Sequence, residues 1–525
     1  MNAHRQVWCG LIRRFMVALV LACVAVTGLV ASATADISLV VKTNKGLVSG
    51  VETSTLFKFL GIPYAAAPMG DLRWAAPKPH ASWKKTGTLD ATNFGNHCPQ
   101  PSSPFGTPSD TEDCLYLNVF APKTGSGYPV MVWIHGGSLW LGESDDYDPT
   151  RLVEQGVVVV TINYRLGDLG FLSHSALGKP HGNYGLMDQQ LALKWVKQNI
   201  AHFGGNPKNV TIFGESAGAL SVHSQLASPK AKGLFHKAIV ESGAYSLAQE
   251  SLDLAEQDGS AWVAAETPCG GLLTAKLTAA CLRALTVDQV LTAQGTPLTG
   301  FVPIVDGKVL TRSIGDAFSS GQFNRVPVIE GSNHDEWRLF VELFNPSLTA
   351  DQYPSAIAIT LHISSTELNE VLYQYPLGNY ASAKIALGAV GTDAIFACNA
   401  RTAAQLLSQY VTTFAYEFND PDPPMIFLPP DPGFPYGAYH AAEIPYIFDT
   451  PTAVYPPVLD DDQKELSATM IGYWTQFAKT SIPDASWPQY KADTDERESF
   501  VPPTPGVESG FAVDHQCAFW ASLGG

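Results

Sequence analysis

The chain has 525 residues, of which 46% are hydrophobic and 15% are charged, which is enough apolar material for a large core and too little charge for long disordered tails. The formal net charge of −17 repels phosphate backbones, so nucleic acid is not an expected partner. No linker divides the chain, and we expect a single domain over 36–525.

The first 35 residues have the pattern of a secretory signal peptide. Two arginines at 13–14 precede an apolar run over 15–31, and Ala-Thr-Ala occupies 33–35. A basic segment, an apolar segment and an A-x-A site in this order predict export with cleavage after Ala35. We therefore expect a secreted or periplasmic protein that begins at Asp36.

Two alternatives to cleavage remain open, an uncleaved signal anchor and a lipoprotein. The lipoprotein pattern around Cys23 is poor, because too few apolar residues precede that cysteine. No other stretch of about 18 apolar residues follows, so we expect no further transmembrane helix and no stable membrane anchor.

Cysteine usage agrees with export. An even number of cysteines in an exported chain indicates disulfides, although spacing alone does not choose the pairs. Buried free thiols are the alternative. The cysteines outside the targeting segment are Cys98, Cys114, Cys269, Cys281, Cys398 and Cys517.

Runs of β-branched and aromatic residues alternate with segments of helical spacing, which is typical of a mostly parallel sheet with helices on both faces. We therefore predict an α/β fold, with strands at 129–135, 157–162, 209–213, 237–240, 326–330 and 411–418. Helices are predicted at 183–203, 217–226 and 460–479. The segments 246–325 and 345–410 are predicted to be helical insertions that cap the active-site end of the sheet. The Pro-rich segment 421–435 is predicted to be a loop.

Gly214-Glu215-Ser216-Ala217-Gly218 matches the G-x-S-x-G pattern of nucleophilic serines. It follows a predicted strand and opens a predicted helix, which is the setting that this motif requires. A plain turn with a helix-capping serine is the alternative interpretation. Because a serine hydroxyl is a weak nucleophile, it needs a base and a third group that holds the base. In this kind of fold these residues follow in the order Ser, Asp or Glu, His.

The sequence W-I-H-G-G-S at 133–138 ends a predicted strand. It resembles the H-G-G-G loop that offers backbone N–H groups to a developing oxyanion. We expect an oxyanion hole formed by Gly136, Gly137 and Ala217, with each donor contributing ~3 kcal/mol. Ser138 replaces the third glycine of the pattern, which leaves open whether two or three donors point inward. A plain Gly-Gly turn is the alternative.

With these motifs the sequence resembles the type-B carboxylesterase/lipase family, which includes the cholinesterases, and in character it is most similar to the bacterial para-nitrobenzyl esterases. The resemblance spans nearly all of 36–525 and implies the α/β-hydrolase fold and hydrolysis of carboxylic esters. Its further landmarks are F-L-G-I-P-Y at 59–64, E-D-C-L-Y-L-N at 112–118, N-Y-G-L-M-D-Q at 183–189, F-G-G-N-P at 203–207, E-S-G at 241–243, F-V-P-I-V-D at 301–306 and C-A-F-W at 517–520.

The resemblance implies the other two members of a catalytic triad. The segment G-S-N-H-D-E, which ends at Glu336, resembles the loop that carries the family's acid, with the adjacent Asp335 as the alternative. His440 matches the family's histidine loop and is the expected general base, while His515 is the other late candidate. The position after the acid is normally glycine and is here Trp337, which we expect to reshape the acyl pocket.

The same resemblance implies a buried polar cluster behind the triad, which would support the histidine and hold ordered water. Its members are Glu215, Ser242 and Glu443. The implied disulfides are Cys98–Cys114, Cys269–Cys281 and Cys398–Cys517. The first two close short loops near the mouth of the site, and the third ties the C-terminal helix to the body.

Departures from the cholinesterases inform on the substrate. The loop between Cys98 and Cys114 contains no tryptophan, so the cation–π contact of a choline site is missing and a choline ester is not expected. The two aromatic residues that narrow the cholinesterase acyl pocket correspond to Pro297 and Thr299, which predicts room for a larger acyl group. Refilling of the space by other side chains is the alternative.

Together these features predict a serine carboxylester hydrolase that acts on small to medium esters through an acyl-enzyme. No H-E-x-x-H, Walker or G-x-G-x-x-G pattern is present, so neither a metal nor another cofactor is expected. A non-catalytic adhesion protein of the same fold is the alternative from another class. Among enzymes, a lipase, an amidase and a polyester hydrolase are the alternatives.

Overall fold

A computed structural model describes residues 38–179, 182–295 and 300–524. The chain divides into two units, Met1–Asp36 and Ile37–Gly525, and the described residues belong to the second. The predicted signal peptide and its cleavage site therefore lie outside the described residues.

The strands of the described chain fall into two sheets, one of eleven strands and one of three. In chain order they are β1 (Val40–Lys42), β2 (Leu47–Ser49), β3 (Val51–Glu52), β4 (Leu56–Pro63), β5 (Thr88–Asp90), β6 (Tyr116–Pro122), β7 (Tyr128–Ile134), β8 (Val158–Ile162), β9 (Gly205–Glu215), β10 (Lys237–Glu241), β11 (Val328–Asn333), β12 (Thr413–Phe418), β13 (Arg497–Phe500) and β14 (Gly506–Glu508).

The large sheet has the order β14-β13-β12-β11-β10-β9-β7-β8-β6-β4-β3, and β1, β2 and β5 form the small one. The seven strands from β13 to β8 in this order run parallel, whereas β14 on one edge and β6, β4 and β3 on the other pair antiparallel. The interior strand β8 has the sequence VVVTI and is buried throughout, as is usual for a strand of a mostly parallel sheet covered on both faces. The predicted α/β fold with a mostly parallel sheet is confirmed.

Helices cover both faces of the large sheet. None of the described helices has the length and apolar character needed to cross a membrane. The α-helices are α1 (Thr150–Glu154), α2 (Gly167–Phe171), α3 (Tyr184–Asn199), α4 (Ala217–Ala227), α5 (Leu252–Glu266), α6 (Ala275–Ala284), α7 (Val287–Ala293), α8 (Ile314–Ser319), α9 (Trp337–Phe344), α10 (Tyr353–Leu361), α11 (Ser365–Gln374), α12 (Ala383–Gly391), α13 (Cys398–Ser408), α14 (Ile444–Ile447), α15 (Asp461–Thr480), α16 (Phe511–Asp514) and α17 (Cys517–Ser522).

The side chains of strand β7 contribute to two hydrophobic cores, one on each face of the sheet. Successive side chains of a strand point to opposite faces, and β7 alternates accordingly. Val130 and Val132 pack in the core that includes α3 and α4, whereas Met131 and Trp133 pack in the core that includes α14 and α15. A third apolar cluster is formed by α9, α10, α12 and α17.

The predicted elements agree with the structure within a few residues. The predicted helix over 183–203 is α3, which ends at Asn199 and continues as the 3₁₀ turn Ile200–Phe203. The insertion 246–325 contains α5 to α8, and 345–410 contains α10 to α13. The Pro-rich segment 421–435 contains neither helix nor strand, as predicted.

Three disulfides link the pairs that the family resemblance implied. Cys98–Cys114 closes the loop before β6, and Cys269–Cys281 joins the segment after α5 to α6. Cys398–Cys517 joins the first residue of α13 to the first residue of α17, so it attaches the C-terminal helix to the body of the domain.

Candidate active site

Ser216 forms the sharp turn between β9, which ends at Glu215, and α4, which begins at Ala217. Its backbone has φ 55° and ψ −122°, a conformation that costs a non-glycine residue about 1–3 kcal/mol. The backbone N–H of Ser216 donates a 2.8 Å hydrogen bond to the carbonyl oxygen of Glu241 on the neighbouring strand. The sheet therefore stabilises the strained turn that holds the serine.

Glycine is required on both sides of this serine because the end of β7 passes close to the turn. A Cβ on Gly214 would lie 2.5 Å from the carbonyl oxygen of Ile134. A Cβ on Gly218 would collide with the same oxygen. The G-x-S-x-G spacing is thus a packing requirement of the strand–turn–helix unit.

His440 and Glu336 form a buried hydrogen-bonded pair. Glu336 follows β11, and its Oε2 lies 2.6 Å from Nδ1 of His440. Its other oxygen, Oε1, accepts a 2.8 Å hydrogen bond from the backbone N–H of Asn333. The exposed fractions of Glu336 and His440 are 0% and 4%, so water does not compete for this contact. The carboxylate fixes the orientation of the imidazole ring.

The second ring nitrogen of His440 is available for chemistry. Nε2 makes no hydrogen bond to any described residue, although it lies 3.2 Å from Oε1 of Glu215. Burial by itself lowers the pKa of His440, but the carboxylates of Glu215, Glu336 and Glu443 outweigh burial and raise this pKa to about 9. His440 and Ser216 line the same cavity.

Asp335, the alternative acid, is engaged elsewhere. Its carboxylate accepts a 3.1 Å hydrogen bond from the backbone N–H of Ala438 and forms a 2.8 Å ion pair with Arg338. It also lies 3.2 Å from Nδ1 of His334. Of the two candidate acids, Glu336 is the one that contacts His440.

His515, the alternative histidine, belongs to a separate buried ion cluster. Nδ1 lies 2.6 Å from Asp393 and Nε2 lies 2.5 Å from Glu417. His334, Glu417 and His515 bring potential metal-ligating atoms within 4.8 Å of one another. Both nitrogens of His515 already contact carboxylates, so the chemistry of this cluster is that of a buried ion pair that connects the C-terminal segment to β12.

The glycine loop after β7 lies directly against the serine. A Cβ on Gly136 would be 2.9 Å from the carbonyl oxygen of Glu215 and 3.2 Å from Cβ of Ser216. Gly137 and Ser138 have positive φ angles of 93° and 58°. The backbone N–H groups of four residues donate no hydrogen bond to any described residue; these are Gly136, Gly137, Ser138 and Ala217. Free donors at this position are what an oxyanion hole requires.

Two members of the predicted polar cluster, Glu215 and Glu443, are near enough to His440 to raise its pKa. Register pairs Glu215 with Glu241 across β9 and β10. Glu443 accepts a 2.5 Å hydrogen bond from Nδ2 of Asn333, and the backbone N–H of Ser242 donates to the carbonyl oxygen of Gly331. Buried polar atoms without a described partner remain on Glu215, Ser242 and Glu443. Unpaired buried polar atoms in one place indicate room for ordered water.

Burial dominates the electrostatics of this cluster. It raises the pKa of Glu215 to about 8, against the opposing effect of His440 and with the support of Glu443 and Glu336. It also raises the pKa of Glu443 to about 7, with the support of Glu336. These neighbouring buried carboxyl groups therefore carry less total negative charge than they would if each were fully ionised.

The cavity above Ser216 has a volume of about 440 Å³. Its charged lining residues, apart from His440, are the acids Glu143, Asp146 and Glu215, and no lysine or arginine is among the described lining residues. The loop closed by Cys98–Cys114 contributes the segment 103–108 to the wall, whereas 246–325 contributes no described residue. The aromatic lining residues are Phe105, Trp140, Tyr147, Phe340, Phe344 and Phe427.

Of the predicted acyl-pocket residues, the structure describes Trp337 alone, and it lies differently from the expectation. Trp337 does not line the cavity; its indole packs against Gly391 and lies 4.7 Å from the ring of Phe340. Pro297 and Thr299 lie outside the described residues. The sequence did not single out Phe340 and Phe396, whose rings lie 5.0 and 4.9 Å from that of His440.

Asn333 is a second site residue that the sequence did not single out. It binds Glu336 through its backbone and Glu443 through its side chain, so it links the acid to the polar cluster. Its position three residues before Glu336, at the end of a strand, was the available signal. The two phenylalanines had none, because their contacts join distant parts of the chain.

Comparison with known proteins is consistent with this geometry. The sequence profile described as "Carboxylesterase family" matches residues 37–520. The chain is 37% identical over 489 residues to the para-nitrobenzyl esterase of Bacillus subtilis (strain 168), covering 88% of this chain and 94% of that protein. It is 33% identical over 510 residues to the cocaine esterase of Homo sapiens, covering 91% and 88%. It is 34% identical over 489 residues to the fumonisin B1 esterase of Sphingopyxis macrogoltabida, covering 88% and 86%. The chain therefore belongs to the carboxylesterase family and is a hydrolase of carboxylic ester bonds.

Proposed function

We propose that this carboxylesterase works through a triad in which Ser216 is the nucleophile, His440 the general base and Glu336 the acid that orients the base. The observation that carries the proposal is the 2.6 Å contact between Glu336 and Nδ1 of His440. Nε2 of the same ring has no hydrogen-bond partner among the described residues, although it lies 3.2 Å from Oε1 of Glu215, and the ring lines the cavity that also contains Ser216.

The reaction follows from these roles. Nε2 of His440 takes the proton of the Ser216 hydroxyl while the serine oxygen attacks the ester carbonyl. Backbone N–H groups of Gly136, Gly137 and Ala217 stabilise the negative charge on the carbonyl oxygen. The imidazolium then protonates the departing alcohol, and an acyl-enzyme remains. Water repeats the same path and releases the acid.

One adjustment precedes the first proton transfer. Within the described chain, no hydrogen bond joins Ser216 to Nε2 of His440. Catalytic hydrogen bonds are often long in an empty site and shorten when substrate binds. The proposal requires that the Ser216 hydroxyl and Nε2 of His440 come within hydrogen-bond distance when substrate binds.

We propose small to medium, uncharged or weakly polar carboxylic esters as substrates. The cavity is large enough for an ester of moderate size, its wall is mainly apolar and aromatic, and its charges are acidic. An anionic ester would meet Glu143 and Asp146, and the described wall offers it no lysine or arginine. The replacement of narrowing aromatic residues by Pro297 and Thr299 supports a roomy acyl pocket.

We also propose that the chain is exported and acts outside the cytoplasm. The support is the targeting pattern that ends at Ala35, together with three disulfides, since disulfides persist in oxidising compartments. N-terminal sequencing of protein from the culture medium and the periplasm tests this. A mature N-terminus at Asp36 is expected.

The proposed triad is tested with para-nitrophenyl esters of increasing acyl length. The purified protein is expected to hydrolyse them, and Ser216→Ala should lower kcat by at least ~10³-fold with an unchanged melting temperature. Wild-type turnover by Ser216→Ala would refute the assignment. Absence of hydrolysis by the wild-type protein on every ester would favour a non-catalytic binding role, and activity confined to acetyl esters would refute the roomy acyl pocket.

A further inference from the structure

Glu241 lies directly behind the nucleophile and has no part in the proposed reaction. Its backbone carbonyl oxygen accepts the N–H of Ser216 at 2.8 Å. Register places it beside Glu215 on β9 and beside Gly331 on β11. Residue 241 therefore joins the strained serine turn to the next strand of the sheet.

The side chain of Glu241 is fully buried, with an exposed fraction of 0%. Its Oε1 accepts a 2.9 Å hydrogen bond from Nε1 of Trp474 on α15. Its Oε2 has no partner among the described residues. One neutral donor is poor compensation for a buried carboxylate, which normally needs a cation or several N–H groups.

The ionisable groups that face Glu241 are two acids and a tyrosine. Glu215 faces it from β9 and Glu443 from the segment before α14, and both raise its pKa in addition to burial. Tyr416 approaches from β12, and the position of its ring depends on Gly331, because a Cβ there would collide with it. His440, the cation of this region, contacts Glu215 and Glu336 instead. A negative charge on Glu241 would therefore add to existing negative charge.

Oxygen atoms that can receive a proton are present nearby. Oε1 of Glu443 is buried without a described partner, and Oε1 of Glu215 has only the 3.2 Å contact with Nε2 of His440. A protonated carboxyl group has one O–H donor in addition to its acceptor oxygen. The protonated form of Glu241 therefore gives its Oε2 a hydrogen-bond partner and supplies a donor to one of these acceptors. The hydrogen bond is either direct or made through one water molecule.

We propose that Glu241 is a neutral carboxylic acid that positions the residues behind the triad. It accepts the indole N–H of Trp474 through Oε1 and donates its own proton through Oε2 to the carboxylate cluster formed by Glu215 and Glu443. The inference rests on the proposed triad, because its role is to support Ser216 and His440. Glu241 touches neither substrate nor reacting atoms, so it is a positioning residue.

This arrangement has a consequence for the base. Each ionised carboxylate near His440 favours the imidazolium form, which cannot accept a proton. A neutral residue 241 fills the space and supplies a donor without adding negative charge. Glutamine offers the same shape, a carbonyl acceptor for Trp474 and N–H donors at the second position, so it should replace a neutral glutamic acid but not an ionised one.

The experiment compares Glu241→Gln, Glu241→Ala and Glu215→Gln in the mature, full-length protein, using pH profiles of kcat/KM and thermal unfolding. Glu241→Gln is expected to keep kcat/KM within about threefold of wild type and to leave the acidic limb of the profile unmoved, because no charge is lost. Glu241→Ala should lower kcat/KM by about tenfold, since Trp474 and the carboxylate cluster lose a partner. Glu215→Gln removes a charge beside His440 and should shift the limb to lower pH.

A downward shift of the acidic limb in Glu241→Gln, similar to that in Glu215→Gln, would overturn the inference, because it would mean that residue 241 carries a charge. Infrared difference spectra give a second readout that holds even if Glu241→Ala does not fold. Wild type should show the carbonyl band of a buried protonated carboxyl group that Glu241→Gln lacks, and absence of this band would also overturn the inference. Failure of the triad assignment can be distinguished from failure of this inference, because a wrong triad would appear as activity in Ser216→Ala.

Discussion

Nδ1 of His440 and Oε2 of Glu336 lie 2.6 Å apart, although 104 positions separate the two residues in the chain. The contact exists because Glu336 follows β11 and His440 follows the next parallel strand, β12, so both loops leave the same edge of the sheet. The backbone reinforces the side-chain contact, since the N–H of His440 also donates to the carbonyl oxygen of Glu336 at 3.3 Å.

The charge of Glu336 should be essential for turnover. Glu336→Gln preserves size but removes the negative charge that fixes the tautomer of His440 and stabilises its imidazolium form. We expect kcat/KM for a para-nitrophenyl ester to fall by at least ~10³-fold, with little change in melting temperature. Steady-state kinetics and thermal unfolding measure both effects.

Asp335→Asn is the matched control, because Asp335 is adjacent but contacts Ala438 and Arg338 instead of the base. Its kcat/KM should stay within about fivefold of wild type, the size of a modest change in loop packing. A larger loss of kcat/KM in Asp335→Asn than in Glu336→Gln would show that Glu336 is not the acid of the triad.

Activity should fall as the solution becomes acidic, with an apparent pKa above the ordinary histidine value of about 6.5. The carboxylates of Glu215, Glu336 and Glu443 outweigh burial and raise the pKa of His440 to about 9. Only the neutral imidazole accepts the serine proton, so kcat/KM decreases as pH drops below this pKa. The pH profile of kcat/KM on an uncharged ester measures it. An acidic limb centred at or below 6 would contradict this description of the site.

The close approach of the glycine loop to Ser216 should make Gly136→Ala less active without unfolding the protein. Its methyl group would lie 2.9 Å from the carbonyl oxygen of Glu215, so the loop must move away. Displaced N–H groups stabilise the oxyanion less, and each is worth ~3 kcal/mol, which predicts a loss in kcat/KM of at least tenfold.

Gly472→Ala is the control for a glycine substitution in general. Gly472 lies in α15, and a Cβ there would have no atom within 4 Å. Alanine favours a helix over glycine by roughly 1 kcal/mol, so this variant should keep wild-type kinetics and lose no stability. Equal kinetics for Gly136→Ala and wild type would remove the glycine loop from the mechanism.

The Cys98–Cys114 disulfide should influence substrate binding more than chemistry. The loop that it closes supplies residues 103–108 to the cavity wall. Replacing both cysteines by serine frees this loop, so KM should rise several-fold while kcat changes less, and stability should fall by about 2–4 kcal/mol.

The Cys269–Cys281 pair provides the comparison, because the segment between these cysteines contributes nothing to the described wall. Its double serine variant should lose stability at an unchanged KM. Steady-state kinetics and chemical denaturation of both double variants distinguish an effect on substrate binding from an effect on stability. Equal changes in KM would show that the disulfides act only through global stability.

The parallel centre of the fold could be predicted because each strand is a short apolar run bounded by turn residues, as in β7 and β8. Strand β4, which lies next to the edge strand β3, could not be predicted in this way. Its burial alternates irregularly, and its pairing with β6 shifts register between Phe59 and Ile62. A bulge of this kind breaks the two-residue period on which strand prediction depends.

The nucleophile turn was predictable from local spacing, since glycines at 214 and 218 are required by the passage of β7. The acid and the base were not, and their positions came from the family resemblance. The ring contacts of Phe340 and Phe396 with His440 join the segment after β11, the π-helical turn Thr392–Ala397 and the histidine loop. Contacts between such distant segments have no periodic signature in a sequence.

The central claim is that Ser216 forms the covalent acyl-enzyme, and covalent labelling followed by peptide mass mapping tests it most directly. A fluorophosphonate that phosphonylates activated serines should abolish esterase activity in step with the addition of one label per chain. The label should lie on the peptide that contains Ser216, and Ser216→Ala should remain unlabelled. Complete inhibition with the label on another residue, or full activity after complete labelling of Ser216, would contradict the proposed mechanism.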